Sequence, residues 1–269
     1  MEKEITERQF AVVTGASSGI GYELAKQFAK NGFDLLVTAE DKGIFEIVSI
    51  LEDAGAKVSV HQADLAKREG VESLYQAIRN ENRDVDAIAI NAGVGVGGDF
   101  VRETDLEAEL NLINLNVISS VHLAKLVLKD MVRAGKGRVL FSSSIAATMP
   151  GTFEAIYGAS KAFIQSFALA VRNEIKDTGV TITSLMPGPT ETEFFHRAGM
   201  DDTRVGVSEK DHPEDVAKDG FEALMAGKEY VVAGSLTNKI LTAANKVVPE
   251  SAKAAFHRVL SEPGSGKSH

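Results

Sequence analysis

The 269-residue chain carries 38 Asp and Glu against 29 Lys and Arg, a net charge of −9. That balance argues against a nucleic-acid partner, because phosphate binding depends on clustered basic side chains. It has no cysteine, which excludes disulfides and thiolate metal sites and makes a reducing, cytoplasmic setting the expectation. The charged segment Met1 to Phe10 lacks the pattern of a signal peptide, and no unbroken apolar run is long enough to span a bilayer.

In chain order, Phe10 to Thr14 reads as a short buried strand ended by the glycine-rich Gly15-Ala-Ser-Ser-Gly19-Ile-Gly21. A helix over 22–30 follows and stops at Asn31-Gly32. The second strand, 33–38, is apolar at most positions, as expected where both faces are covered. The alternation continues with helix 43–54, strand 57–61, helix 67–80, strand 85–90, a long helix 104–134 and strand 138–142. Helix 153–177, strand 180–185, helix 213–226 and strand 229–233 complete it. Strands alternating with helices predict an α/β fold with a parallel, doubly wound sheet. Residues 188–212 form a long connection of the kind that serves as a lid.

Three groups of residues carry chemistry. Gly15, Gly19 and Gly21 stand between the first strand and the first helix, where glycines let the backbone approach a pyrophosphate and the helix N-terminus attracts it. Tyr157 and Lys161 are four apart, so a helix places them on one face, and an ammonium beside a phenol favours the phenolate. Bringing a phenol from about 10 to neutrality needs roughly 4 kcal/mol, which one lysine, a nearby cationic ring and a water-poor pocket can supply. The hydroxyl of Ser144, at the end of the preceding strand, can bond the same substrate oxygen. A competing motif overlaps the loop: Gly15-Ala-Ser17-Ser-Gly19 also fits the nucleophile elbow of a hydrolase, with Asp215 and His257 following in the required order. That reading leaves Ser144, Tyr157 and Lys161 without a purpose.

Thr14-Gly15-x-x-x-Gly19-x-Gly21, Asn91-Ala92-Gly93, Asn116, Ser144, Tyr157-x-x-x-Lys161 and Pro187-Gly188 occur together and in order. From about residue 8 to residue 234 the chain resembles the short-chain dehydrogenase/reductases. The resemblance implies a single Rossmann domain with a mostly parallel seven-stranded sheet, a nicotinamide cofactor, and hydride transfer to or from a carbon-bound oxygen. It implies that Tyr157 is the general acid/base, that Lys161 lowers its pKa and binds the nicotinamide ribose, and that Ser144 orients the substrate oxygen. Asn116 would hold a water linking Lys161 to solvent, with Asn111 and Asn114 as competing registers. The cofactor would lie against Gly15, Ser17, Ser18, Gly19, Ile20 and Gly21, the adenine-contacting pair Asp64-Leu65, Asn91, Ala92 and Gly93. Pro187, Gly188, Thr190 and Thr192 would hold its carboxamide. A binding protein that kept the fold and lost catalysis is a further alternative, although such descendants usually lose the tyrosine or lysine retained here.

Cofactor choice departs from the family pattern. Ala39 stands where an acidic residue usually grips the ribose hydroxyls, and Glu40 stands where an arginine would favour NADP. With Glu40 and Asp41 at the strand end, NAD is the expected cofactor, Glu40 its ribose ligand, and Lys42 the one cation able to bring in NADP.

The substrate is expected to be a small or medium-sized apolar alcohol or ketone, lined by Val94, Val96, Phe100, Met149, Phe153, Phe194, Phe195 and Met200. His196 is a candidate substrate contact, and the remaining histidines show no metal-ligand spacing. Beyond a main domain over 1–236, residues 237–269 carry five Lys or Arg against two Glu. Pro249 should start a helix there with Ala252, Ala255, Phe256, Val259 and Leu260 on one side, followed by a disordered end from Gly264. This extension is expected to pack beside the substrate pocket or on a neighbouring subunit; contact with an anionic membrane is the alternative. Helices 104–134 and 153–177 are the surfaces on which the family pairs subunits, so a homodimer or homotetramer is expected.

Overall fold

The computed structural model describes residues 8–245 and 247–266. The elements run β1 (Gln9–Thr14), α1 (Gly19–Lys30), β2 (Phe33–Ala39), α2 (Val48–Asp53), β3 (Val58–Gln62), α3 (Arg68–Asn80) and β4 (Ala87–Ile90). Then come α4 (Leu106–Ile113), α5 (Ser120–Ala134), β5 (Gly137–Ser142), α6 (Ala155–Glu174) and β6 (Val180–Pro187). The chain continues through α7 (Phe194–Arg197), α8 (Arg204–Val207), α9 (Pro213–Met225), β7 (Tyr230–Ala233), α10 (Leu236–Ala244) and α11 (Glu250–Ser261). The seven strands pair in the order β3-β2-β1-β4-β5-β6-β7, every neighbour parallel.

Alternate residues of each central strand feed two separate cores, which is why these strands are apolar at most positions. Ala11, Val13, Leu35 and Val37 face α1 and α9, where Phe28 meets Phe33 and Phe221 edge to face at 5.1 and 5.2 Å. Phe10, Val12, Leu36 and Ile88 face α3, α5 and α6, packing with Leu74, Val127 and Ile164. Successive strands run outward in opposite directions from β1 and β4, so the crossovers diverge there and leave a crevice at the carboxyl ends of these two strands.

Three stretches depart from the sequence expectations. The helix expected over 43–54 is a 3₁₀ turn, Lys42–Phe45, followed by α2 alone. The long helix is interrupted by a π turn, Asn114–Ser119, between α4 and α5. The run from Leu106 to Ala134 is long and apolar enough to cross a membrane by length and composition alone. Here it crosses from β4 to β5 and buries Leu123, Val127 and Met131 against the sheet.

The third departure is the C-terminal extension. α11 does start after Pro249, but the side it buries is Lys253, His257 and Ser261, while Phe256 and Val259 face outward. Its partner surface explains the inversion, because the segment 148–154 offers polar backbone groups that need donors. Lys253 Nζ donates to the Thr148 carbonyl at 3.3 Å, His257 Nδ1 to the Thr152 carbonyl at 2.9 Å, and the Thr152 hydroxyl to the Ala254 carbonyl at 2.9 Å. Gly264 to Gly266, expected to be disordered, form a turn in which the Gly266 amide donates to the Asp202 carbonyl at 2.7 Å. The remainder of that expectation, including His269, lies outside the described residues.

Candidate active site

The crevice at the carboxyl ends of β1 and β4 opens into a cavity of about 340 Å³. Thr14 joins the two strand ends: its hydroxyl accepts from the amides of Asn91 and Ala92 at 2.9 and 3.0 Å. Asn91 is fixed in turn, accepting from Ser142 at 2.8 Å and donating to the Thr14 carbonyl at 3.1 Å.

The loop between β1 and α1 fits a dinucleotide. Gly15 has φ +65°, and a Cβ there would lie 2.9 Å from the Ala92 backbone; one on Gly21 would overlap the Gly15 carbonyl oxygen. Ser18, the N-cap of α1, makes no side-chain hydrogen bond to the first turn, so the amides of that turn remain available to a phosphate. Gly15, Ser17, Ser18, Gly19, Ile20, Gly21, Glu40, Leu65, Asn91, Ala92, Gly93, Pro187, Gly188, Thr190 and Thr192 all line the one cavity. Asp64 does not. Its carboxylate accepts from the Ala66 amide at 3.0 Å and pairs with Lys67 at 3.1 Å, leaving the neighbouring Ala63 and Leu65 to face the cavity.

At the β2 end, Glu40 and Asp41 line the cavity, but it is Asp41 that reaches the glycine loop, accepting from the Ser17 hydroxyl at 2.7 Å. Ser17 is therefore not poised as a nucleophile. The competing triad is not assembled: His257 faces Thr152 and Glu154, and Asp215 lies in the first turn of α9.

Tyr157 and Lys161 project from the first two turns of α6, with the Lys161 ammonium 5.6 Å from the centre of the Tyr157 ring. Lys161 Nζ donates to the Ser142 carbonyl at 2.9 Å, and burial draws its pKa down to about 8. The Tyr157 phenol stands above its ordinary value rather than below it. Burial raises it first and the Glu154 carboxyl second, while hydrogen bonding with Ser144 works in the opposite direction. The lowering expected from Lys161 is therefore not found: burial and Glu154 hold the phenol up. Ser144, N-cap of a 3₁₀ turn after β5, accepts from the Ala146 amide at 3.1 Å.

The π turn decides among the three asparagines. Asn116 is buried, while Asn111 and Asn114 are exposed. Its carboxamide is fully engaged, accepting from the Val94 amide and donating to the Val94 carbonyl, both at 2.9 Å, and donating to Ser160 at 3.1 Å. Its side chain clamps the loop at Val94, and a Cβ on the preceding Gly93 would lie 3.0 Å from Asn116 Oδ1 and 3.3 Å from Lys161 Nζ.

Of the expected apolar lining, Val94, Met149, Phe194 and Phe195 are in place. Val96, Phe100 and Phe153 are not among the lining residues, and Met200 is buried beneath Phe195 in a small cluster of its own. His196 points outward to Asp201 at 2.8 Å and contributes nothing to the cavity. Leu241 and Leu260, from α10 and α11, complete the apolar wall, together with three polar residues that the sequence reading missed as a group: Glu154, His257 and Ser261. A lone acidic residue in Met149-Pro-Gly-Thr-Phe-Glu154-Ala-Ile-Tyr157 was the available signal.

Comparison with known proteins agrees with this geometry. A family model described as short chain dehydrogenase matches residues 9–202. The chain is 30% identical to sulfoacetaldehyde reductase 2 of Chromohalobacter salexigens, over 77% of this chain and 84% of that protein. A short-chain dehydrogenase from Sphingobium yanoikuyae, solved with NADPH, superposes with a TM-score of 0.77 at 29% identity, covering 83% of this chain and 87% of that one. A short-chain dehydrogenase/reductase from Burkholderia phymatum, solved with NAD, shares the fold with a TM-score of 0.81 at 22% identity, over 90% and 92% of the two chains.

Proposed function

The chain belongs to the short-chain dehydrogenase family and is an NAD(P)-dependent oxidoreductase acting on alcohol or carbonyl groups, and we propose that its substrate is a small or medium-sized, largely apolar secondary alcohol or the matching ketone, with Tyr157 as general acid/base. The observation that carries this reading is one juxtaposition: Tyr157, Ser144 and Lys161 line the same cavity as the glycine loop, beside a wall of Met149, Phe194, Leu241 and Leu260.

A bound nicotinamide supplies hydride to a carbonyl carbon, or takes it from a carbinol. The residues of the chain manage the oxygen and its proton. In reduction, the substrate oxygen accepts hydrogen bonds from the Tyr157 and Ser144 hydroxyls, and Tyr157 transfers its proton as negative charge develops there. The phenolate left behind is stabilised by the Lys161 ammonium, whose position is fixed by the Ser142 carbonyl. In oxidation the same phenolate takes the proton from the alcohol. Asn116 keeps the backbone of Gly93 and Val94 in place beside Lys161. The apolar wall excludes water, which strengthens each of these electrostatic effects.

NAD is the favoured cofactor and NADP the alternative; supporting this, two carboxylates, Glu40 and Asp41, line the cavity just past the end of β2 and would repel a 2′-phosphate bound beside them. A panel of secondary alcohols and ketones, each assayed with both cofactors by nicotinamide absorbance, tests the reading. Turnover of none of them sinks it.

A further inference from the structure

One patch of the cavity wall is unlike its surroundings. Glu154 is the N-cap residue of α6, three positions before Tyr157, and only 7% exposed. It shares the cavity with Met149, Leu241 and Leu260. A carboxyl among such neighbours is costly unless it is partnered. One of its oxygens is: Oε2 accepts from the Ser261 hydroxyl at 3.2 Å and faces His257 Nε2 at 3.5 Å. The other, Oε1, makes no hydrogen bond among the described residues, although Glu154 lines the cavity.

The histidine defines the proton content of the cluster. Its Nδ1 lies 2.9 Å from the Thr152 carbonyl, which can only accept, so Nδ1 carries hydrogen and Nε2 is left to share a proton with Glu154. Burial raises the carboxyl to about 7 and lowers the imidazole, both of which favour an uncharged pair. The arrangement is held from both sides. Phe153, immediately before Glu154, has φ +65°, an unusual conformation for a bulky residue, and the Arg258 guanidinium covers its ring at 4.8 Å.

With the proton shared between Oε2 and His257, the free Oε1 is an acceptor in an apolar wall beside the reacting centre, and it suits a neutral hydrogen-bond donor such as a hydroxyl. An ammonium would instead require a carboxylate. Resting on the alcohol–carbonyl reading above, we propose that Glu154, oriented by Ser261 and His257, is a specificity residue that binds a second hydroxyl of the substrate, so that the physiological substrate is a hydroxyketone or the corresponding diol with an otherwise apolar body. The hydroxyl hydrogen-bonds Glu154 Oε1 while the carbonyl oxygen lies between Tyr157 and Ser144.

The test uses ketones of one chain length: the unsubstituted ketone, a series with a hydroxyl stepped along the chain, and the matching aminoketones. For the wild type, kcat/KM should favour one hydroxyketone over the unsubstituted ketone by about tenfold or more, the scale of one buried hydrogen bond. In Glu154→Leu that ratio should collapse towards one. Ser261→Ala, which removes only the hydroxyl that orients the carboxyl, should lower the ratio too and serves if the leucine variant does not fold. A flat wild-type series, a preference that survives in the folded variants, or a preference for the aminoketones overturns the proposal. Loss of turnover across every ketone would instead overturn the underlying alcohol–carbonyl reading, and the subsite with it.

Discussion

The Ser17 hydroxyl donates to the Asp41 carboxylate at 2.7 Å, tying the end of β2 to the glycine-rich loop. The other Asp41 oxygen accepts from the Gly43 amide at 2.9 Å, so this carboxylate is held rather than free to swing away. On the proposed NAD reading, a 2′-phosphate would meet it and Glu40 together. Two unit charges about 4 Å apart repel by roughly 4 kcal/mol at an effective dielectric of 20, less with the screening of an exposed site. The wild type should therefore favour NAD over NADP by kcat/KM, by about tenfold or more. Asp41→Ala should narrow the gap, and Asp41→Ala with Glu40→Arg should reverse it. Steady-state kinetics with both cofactors decide, and a wild type that favours NADP refutes the assignment.

Tyr157→Phe removes the proton donor while keeping the ring that packs 5.0 Å from Phe194. Turnover should fall by roughly 10² to 10⁴, the usual scale for a general acid/base, with cofactor affinity retained in a fluorescence titration. Lys161→Met should lose turnover and also bind the cofactor more weakly. Wild-type rates in both variants would mean that the chemistry lies elsewhere.

Glu154 makes stability depend on pH in a defined direction. Its folded pKa, about 7, lies above the ordinary 4.5, so between these values the folded chain binds more protons than the unfolded one. The stabilisation from this group is complete below about pH 4.5 and is lost as the pH rises through 7. Its span is on the order of 3 kcal/mol. His257 acts oppositely, losing stability as the pH falls below 6.5. Comparing wild type with Glu154→Gln isolates the first effect: thermal melts should show a difference between them that changes steadily from pH 4.5 to 7. A pH-independent difference would contradict the shared-proton cluster.

Leu106, Leu110 and Ile118 on the long crossover, and Phe163 on α6, are apolar and exposed. Covering them by a second copy of the chain would produce a closed, symmetric assembly. Light scattering at micromolar concentration should return at least twice the mass of one chain. Ile118→Lys with Phe163→Lys should shift the population to monomer.

The parts of the site that could be read from sequence are those whose members are local. Tyr157 and Lys161 share a helix face because four residues make just over one turn, and the glycines of the loop follow directly on a strand. Asn116 was favoured over Asn111 and Asn114 only by its match to the family pattern; the sequence carries no sign of the π turn that buries it and leaves the other two exposed. The strand assignments were legible because β1, β2 and β4 are buried on both faces and carry apolar runs such as Phe10 to Val13 and Leu35 to Val37. The start of α11 after Pro249 and its place beside the cavity were as expected, but the face it packs was misread for a physical reason. An amphipathic stripe predicts the packed face only when the partner surface is apolar, and here the partner is a loop whose carbonyls need donors. Glu154 and His257 lie over a hundred residues apart, so no local pattern joins them.

The dependence of the cavity on α10 and α11 separates folding of the sheet from completion of the enzyme. All seven strands precede Leu236, yet Asn238, Leu241, His257, Leu260 and Ser261 supply part of the cavity wall. During synthesis, which delivers elements in chain order, a nascent chain that has finished β7 can hold the complete glycine loop and the Tyr157 helix behind an open wall. Dinucleotide affinity should therefore arise before substrate selectivity does, with the two abilities acquired some thirty residues apart.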